Sequence, residues 1–258
     1  MAEVIARGLR THVQRLGDGG TPVVFLHGLV MDNLSSWFFT VATPTAAFAD
    51  VVLYDLRAHG RSEPTSTGFT LDDFVADLHD LRAQLGLTAP MHLVGNSFGG
   101  LLALCYAHAH PDEVPGLALV DALLPEPGWS DAMVATLGLT GDDRDKQIAT
   151  SFRHWLGRHS GRKRNRLARQ ARRLVEESSL LDDLAASPGL SEAELSAIAA
   201  PTLLLYGEDS DVRSGGERLA ALLPDAELEF VAGCTHSVIW EQTALVRDRL
   251  VTWLEARC

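Results

Sequence analysis

Short runs of consecutive apolar residues alternate along this chain with longer segments in which apolar positions recur every three or four residues. Residues 23–27, 51–54, 91–94, 117–120 and 202–206 are nearly unbroken apolar runs, the pattern of strands covered on both faces, and residues 228–231 read as one more. Residues 4–7 and 9–15 alternate on either side of Gly8, which predicts an antiparallel start to the sheet. A helix is predicted over 71–85, after Thr70, with Asp72 and Asp73 at the positive end of its dipole and Gly86 closing it. Further helices are predicted over 98–110, stopped by Pro111, over 214–223, stopped by Pro224, and over 240–256. Strands alternating with helices predict an α/β fold with a mostly parallel central sheet flanked by helices.

Residues 123–200 interrupt this rhythm with helical patterns and no strand. With Pro125 and Pro127 where the interruption begins and Pro201 where the sheet resumes, the expected organisation is a core of residues 1–122 and 201–258 and a helical cap of residues 123–200. A chain of 258 residues, 46% of them hydrophobic, can bury such a core without disulfides or structural metals. Its cysteines, Cys105, Cys234 and Cys258, are odd in number and widely spaced, which fits neither a disulfide framework nor a paired metal motif and suggests a reducing, cytoplasmic setting. The N-terminal residues lack the cationic and apolar regions of a secretory signal. Residues 83–111 contain no Asp, Glu, Lys or Arg, but Pro90, Gly95 and Gly99 break them up, so no membrane span is expected.

A formal net charge of -12 argues against nucleic acid as a partner. The charge is uneven: ten Lys or Arg and no acid lie between Lys146 and Val175. A basic run of this kind, densest over Arg158 to Arg173, reads first as a solvated helix face. Its functional reading is a positive surface that steers an anionic small-molecule substrate, or an acyl group on an acidic carrier protein, toward a reactive site.

The reactive site is suggested by Gly95-Asn-Ser-Phe-Gly99, which joins the strand 91–94 directly to the helix that follows. In G-x-S-x-G the glycines make room for a sharp, strained turn that exposes Ser97 at the head of the sheet, beside free N–H groups of a helix N-terminus. A serine hydroxyl needs a base, and the base needs a carboxylate to orient it. The segment from Gly207 to Val212 places Glu208, Asp209 and Asp211 just after a strand, and Gly233-Cys-Thr-His-Ser237 places His236 in the loop before the last helix. Among the other histidines, His12, His108, His110, His154 and His159 have no matching carboxylate context in the sequence.

Together with His27-Gly-Leu29 after residues 23–27 and Asp55-Leu-Arg-Ala-His-Gly-Arg-Ser62 after residues 51–54, these segments resemble the α/β-hydrolase superfamily over nearly the whole chain. The resemblance implies Ser97 as nucleophile, His236 as general base and acid, and the backbone N–H groups of Leu29 and Phe98 as oxyanion hole. It implies Asp211 as the triad acid, with Asp209 as the fallback and Glu208 and the post-strand Asp121 behind them. Thr235 stands where relatives often have glycine before the histidine, with Cys234 beside it. His27, Arg57 and His59 are expected to be scaffold, and Met31, Asn33, Trp37, Asn96 and Phe98 are candidates for the substrate pocket.

The reaction implied is cofactor-independent cleavage of an ester or thioester through an acyl-enzyme, with no metal. Because the nucleophile turn also resembles that of meta-cleavage-product hydrolases, carbon–carbon hydrolysis is an alternative, although His-Gly-Leu-Val-Met-Asp differs from their oxyanion loop. Non-hydrolytic cyclisation or carbon–carbon coupling in natural-product biosynthesis is a further alternative, as is a ligand receptor on the same fold.

Overall fold

The apolar runs form the sheet. A computed structural model describes residues 2–17, 19–139 and 161–258. Its strands are β1 (Ala2–Ala6), β2 (Leu9–Leu16), β3 (Pro22–Leu26), β4 (Asp50–Tyr54), β5 (His92–Asn96), β6 (Leu117–Val120), β7 (Thr202–Gly207) and β8 (Ala226–Val231). They lie in the order β1-β2-β4-β3-β5-β6-β7-β8. Pairing is antiparallel from β1 to β2 and from β2 to β4, and parallel across the rest.

Every residue of β3, β4, β6 and β7 is buried, which explains why these strands show no apolar–polar alternation. Successive residues instead feed two cores. Val24, Leu26, Tyr54, Leu93 and Leu204 enter one, and Val23, Phe25, Leu53, Val94 and Leu205 enter the other. Helices α1 (Leu71–Gln84) and α2 (Phe98–Ala109) pack into the first core. α1 opens with a capping box in which Thr70 and Asp73 satisfy each other's backbone N–H groups.

Between β6 and β7 the described residues form α3 (Asp131–Leu137), α4 (Gly161–Glu176), α5 (Leu180–Ala186) and α6 (Glu192–Ser196), with no strand among them. This segment is tied to the body by Phe69 N–H donating to Asp183, Ser179 N–H to the Ser66 carbonyl, both at 2.8 Å, and Gln170 to the Gly60 carbonyl at 2.8 Å. The basic run falls partly on α4, where Arg169, Arg172 and Arg173 are exposed while Ala171 and Leu174 are buried; its residues 146–160 lie outside the described ones. After β7 come α7 (Arg213–Leu222), α8 (Val238–Glu241) and α9 (Thr243–Glu255), with α9 in the second core. No helix among the described residues is long and apolar enough to cross a membrane.

Two local features differ from the sequence reading. Residues 35–45 form a short helical stretch that widens to π geometry at Phe38–Ala42. Its β-branched residues and Pro44 conceal a helical pattern. The single helix expected over 240–256 is two helices, broken at Gln242 (φ -129°, ψ 49°), where the Thr243 hydroxyl donates to the Ile239 carbonyl at 2.6 Å.

Close packing of backbone on backbone fixes the start of α2. A Cβ on Gly99 would stand 2.3 Å from the Leu26 carbonyl oxygen, and one on Gly95 would stand 2.4 Å from that of Gly99. Backbone atoms on both sides cannot yield as a flexible side chain would. Gly99→Ala should therefore lose about 1–3 kcal/mol of stability in urea unfolding; an unchanged midpoint would contradict this account of the turn.

Candidate active site

The tight approach forces the turn between β5 and α2 into an unusual conformation. Ser97 has φ 51° and ψ -121°, a strained backbone for a residue with a Cβ. Its neighbours over-determine that conformation: Ser97 N–H donates to the Val120 carbonyl at 3.1 Å, and its carbonyl accepts from Gly100 at 3.0 Å and Leu123 at 3.2 Å. The hydroxyl projects into a cavity of about 580 Å³ and lies 3.0 Å from His236 Nε2.

His236 sits in the loop between β8 and α8. Thr235, the departure noted in the sequence, secures this loop by donating its amide and hydroxyl to Glu241 at 2.7 and 2.9 Å. The other imidazole nitrogen, Nδ1, faces two carboxylates. It lies 3.2 Å from Asp121 Oδ2 and 4.0 Å from Asp211 Oδ1, with its N–H not aligned on either. Asp211, the acid expected from the sequence, has a side chain 80% exposed, whereas that of Asp121 is 2% exposed. Asp209, the fallback, is also exposed, and its amide is held by the Cys234 carbonyl at 2.8 Å.

Asp121 immediately follows β6, with φ 47°, and its carboxylate is well satisfied. Oδ1 accepts from Gly207 N–H and Oδ2 from the Ser210 hydroxyl, each at 2.8 Å. A buried carboxylate requires such partners to remain charged. Burial alone would lower the affinity of His236 for a proton, but the contact with Asp121 and its charge, with a smaller contribution from Asp211, raise its pKa above 6.5. The geometry thus brings a hydroxyl, an imidazole and a buried carboxylate within reach of one another. Looser alignment is common in such sites before substrate is bound.

The loop after β3 forms the facing wall. The Gly28 amide is taken by Asp32 at 2.9 Å and the Val30 amide by His59 Nε2 at 2.8 Å, with the Leu29 amide between them. Phe98 N–H is in the first turn of α2, where amides have no acceptor within the helix. His27 and His59 act as acceptors on one side and donors on the other. His27 Nε2 accepts from Leu56 N–H at 3.0 Å and Nδ1 donates to the Gly28 carbonyl at 2.6 Å. His59 Nδ1 likewise donates to the Arg57 carbonyl at 2.8 Å. The His59 ring, which accepts at Nε2 and donates at Nδ1, is therefore neutral, and burial followed by the neighbouring His27 lowers its pKa to about 3. Arg57 is buried and bridges to both oxygens of Asp77 at 2.6 Å.

Met31 and Asn96 line the cavity. Trp37 does not: its indole is fully buried beside Phe25 and donates to the Leu26 carbonyl at 2.9 Å, so it supports the loop from the core. The Asn33 side chain accepts from Ser35 N–H at 3.0 Å and is not among the cavity-lining residues. The Phe98 side chain is also buried, packed on Phe74. Leu123, Leu124, Trp129 and Met133 add apolar surface from the segment after β6.

Three histidines without a sequence partner acquire one in the fold: His12 donates to Asp55 at 2.8 Å, His108 lies 3.6 Å from Glu194, and His110 joins His79 near Glu113. His154 and His159 lie outside the described residues. The sequence reading also gave little weight to Asp121 and none to Asp32 or Ser210. Asp121 had a visible signal, a carboxylate directly after a buried strand, but its strand is not the one preceding the acid-rich loop. The bond of Ser210 to Asp121 depends on long-range packing, whereas Asp32 bonds mainly within its own loop, to Gly28, Asn33 and Ser36.

The model of the alpha/beta hydrolase fold family matches residues 21–243. An uncharacterised carboxylesterase of Bacillus subtilis is 24% identical over 261 residues, covering 96% of this chain and 84% of that protein. The 2-hydroxy-6-oxononadienedioate/2-hydroxy-6-oxononatrienedioate hydrolase 2 of Pseudomonas putida is 28% identical, covering 90% and 87%. The solved structure of a meta-cleavage product hydrolase from Pseudomonas fluorescens superposes with a TM-score of 0.80 at 20% identity, covering 100% of this chain and 98% of that one.

The neutral His59 ring makes a pH prediction. Its pKa is 6.5 when unfolded and about 3 when folded, so between these values the unfolded chain binds a proton that the folded chain refuses. Stability from this group is complete above pH 6.5 and declines as the pH falls toward 3. Thermal midpoints measured over that window should fall less steeply in His59→Gln than in the unsubstituted protein; parallel slopes would contradict a neutral, buried His59.

Proposed function

The chain belongs to the alpha/beta hydrolase fold family and is an enzyme of that family, and from this premise we propose that it is a serine hydrolase cleaving carboxylic esters with Asp121, rather than Asp211, as the acid of its triad. The observation that carries this reading is the line from Ser97 Oγ to His236 Nε2, 3.0 Å, and from His236 Nδ1 to buried Asp121, 3.2 Å.

In the proposed reaction His236 Nε2 accepts the Ser97 proton as Oγ attacks the ester carbonyl. Negative charge then develops on the carbonyl oxygen, where the Leu29 and Phe98 amides stabilise it without reorganising. Asp121 compensates the positive charge on the imidazole and holds the tautomer that leaves Nε2 free to accept. Collapse of the tetrahedral intermediate passes the proton to the leaving alcohol and leaves an acyl group on Ser97. Water repeats the sequence, with His236 again the base, and releases the acid.

Ser210 and Gly207 fix the direction of the Asp121 carboxylate, so they position the reaction through His236. The apolar side chains of Leu123, Leu124, Trp129 and Met133 support an uncharged acyl group as the part of the substrate that fills the cavity. In this reading the described residues between β6 and β7 form a cap over the core and set acyl selectivity.

Hydrolysis of a p-nitrophenyl ester series, combined with intact-mass detection of fluorophosphonate labelling, tests the assignment. Ser97→Ala should abolish labelling. Asp121→Asn should lower kcat by about 10³ to 10⁴, whereas Asp211→Asn, which removes an exposed and solvent-screened charge, should change it by less than about fivefold. A larger loss at Asp211 would return the acid to the loop after β7, and full turnover in Ser97→Ala would exclude the nucleophile.

A further inference from the structure

Away from the cavity, two imidazoles and a carboxylate converge at the junction of α1, the end of α2 and the 3-10 turn Pro111–Glu113. His79, His110 and Glu113 each offer a ligand atom there, and the three atoms lie within 4.8 Å of one another. The two rings are stacked, with centroids 4.3 Å apart and planes at 6°. His79 Nδ1 lies 3.6 Å from Glu113 Oε2. We propose that His79, His110 and Glu113 form a binding site for a divalent transition-metal ion of the zinc type, which would clip α1 to the turn that follows α2.

Two nitrogens and one carboxylate oxygen make a donor set suited to zinc, with water completing the coordination. The carboxylate is already oriented. Tyr106 donates its phenol to Glu113 Oε2 at 2.5 Å, and Arg82 approaches Oε1 at 3.3 Å. Ligand carboxylates are commonly held by such outer partners. These contacts hold both carboxylate oxygens of Glu113 in place.

The nearby charges limit the affinity without cancelling it. Arg82 offsets part of the Glu113 charge, while Asp72 and Asp80 line the same groove as His79 and His110 and oppose Arg7. Arg7 is itself paired with Asp73 and Asp77. In the stack the ring lone pairs run side by side, so binding requires one ring to turn until they converge. The His79 side chain is 47% exposed and has room to do so.

The test is zinc titration of the full, tag-free, metal-stripped chain by calorimetry, with thermal unfolding at saturation. One equivalent should bind with micromolar affinity and raise Tm by a few degrees, because the ion favours the folded state. His79→Gln and His110→Gln should each weaken binding at least about tenfold and remove the Tm shift. His108→Gln, on the same helix, and Ser97→Ala should bind as the unsubstituted protein does, which separates this site from the catalytic reading. Binding only in the millimolar range, or micromolar binding retained in both His79→Gln and His110→Gln, would overturn the proposal; Tm values of the metal-free variants establish that they are folded.

Discussion

The proposed chemistry depends on one buried carboxylate. Asp121 leaves the end of β6 and meets the first amide beyond the interior of β7, the Ser210 hydroxyl in the following loop, and the imidazole of His236 after β8. Three successive strand ends are thereby referred to a single carboxylate. Removing such a group from water is costly, and the cost is offset only while its partners remain in place. The arrangement therefore couples the integrity of the sheet edge to the protonation of the histidine. It also explains how Asp211 can stand close to the ring and yet be almost wholly solvated.

The opposite wall follows a different principle. The loop after β3 is held by His27 and His59, whose ring nitrogens accept backbone amides, and by the carboxylates of Asp32 and Asp55. Asp55 takes the amides of Leu34 and Arg61 and the His12 ring, linking that loop to β2 and β4. Burial works against its charge, but His12, the neighbouring His27 and these amides together lower its pKa. An amide that is to stabilise a developing oxyanion must be fixed beforehand, and this network fixes the amides on either side of Leu29.

Much of this was legible in the sequence because it is local. The unbroken apolar runs marked the buried strands, Gly95 and Gly99 marked the strained turn around Ser97, and the loop after residues 228–231 marked His236. The acid of the proposed triad, Asp121, was harder to read, because proximity to a histidine 115 positions away depends on how β6, β7 and β8 lie in the sheet. Carboxylates clustered at Glu208, Asp209 and Asp211 made the loop after β7 look acidic enough to supply the group, while a hydroxyl in that loop, Ser210, is what turns inward. Trp37 looked like a pocket residue by its nearness to the loop, but its indole N–H found a buried carbonyl and its ring a core. The pairing of His12 with Asp55 likewise required β2 to lie against β4, which no local pattern encodes.

The account stands on Asp121 being the group that sets the state of His236. The most direct measurement is an NMR titration of the His236 ring in the unsubstituted protein, Asp121→Asn and Asp211→Asn. Above 6.5 in the unsubstituted protein, its pKa should drop in Asp121→Asn, where burial is left unopposed by the nearer charge, and move only slightly in Asp211→Asn. The reverse pattern, a large fall in Asp211→Asn with little change in Asp121→Asn, would contradict the account.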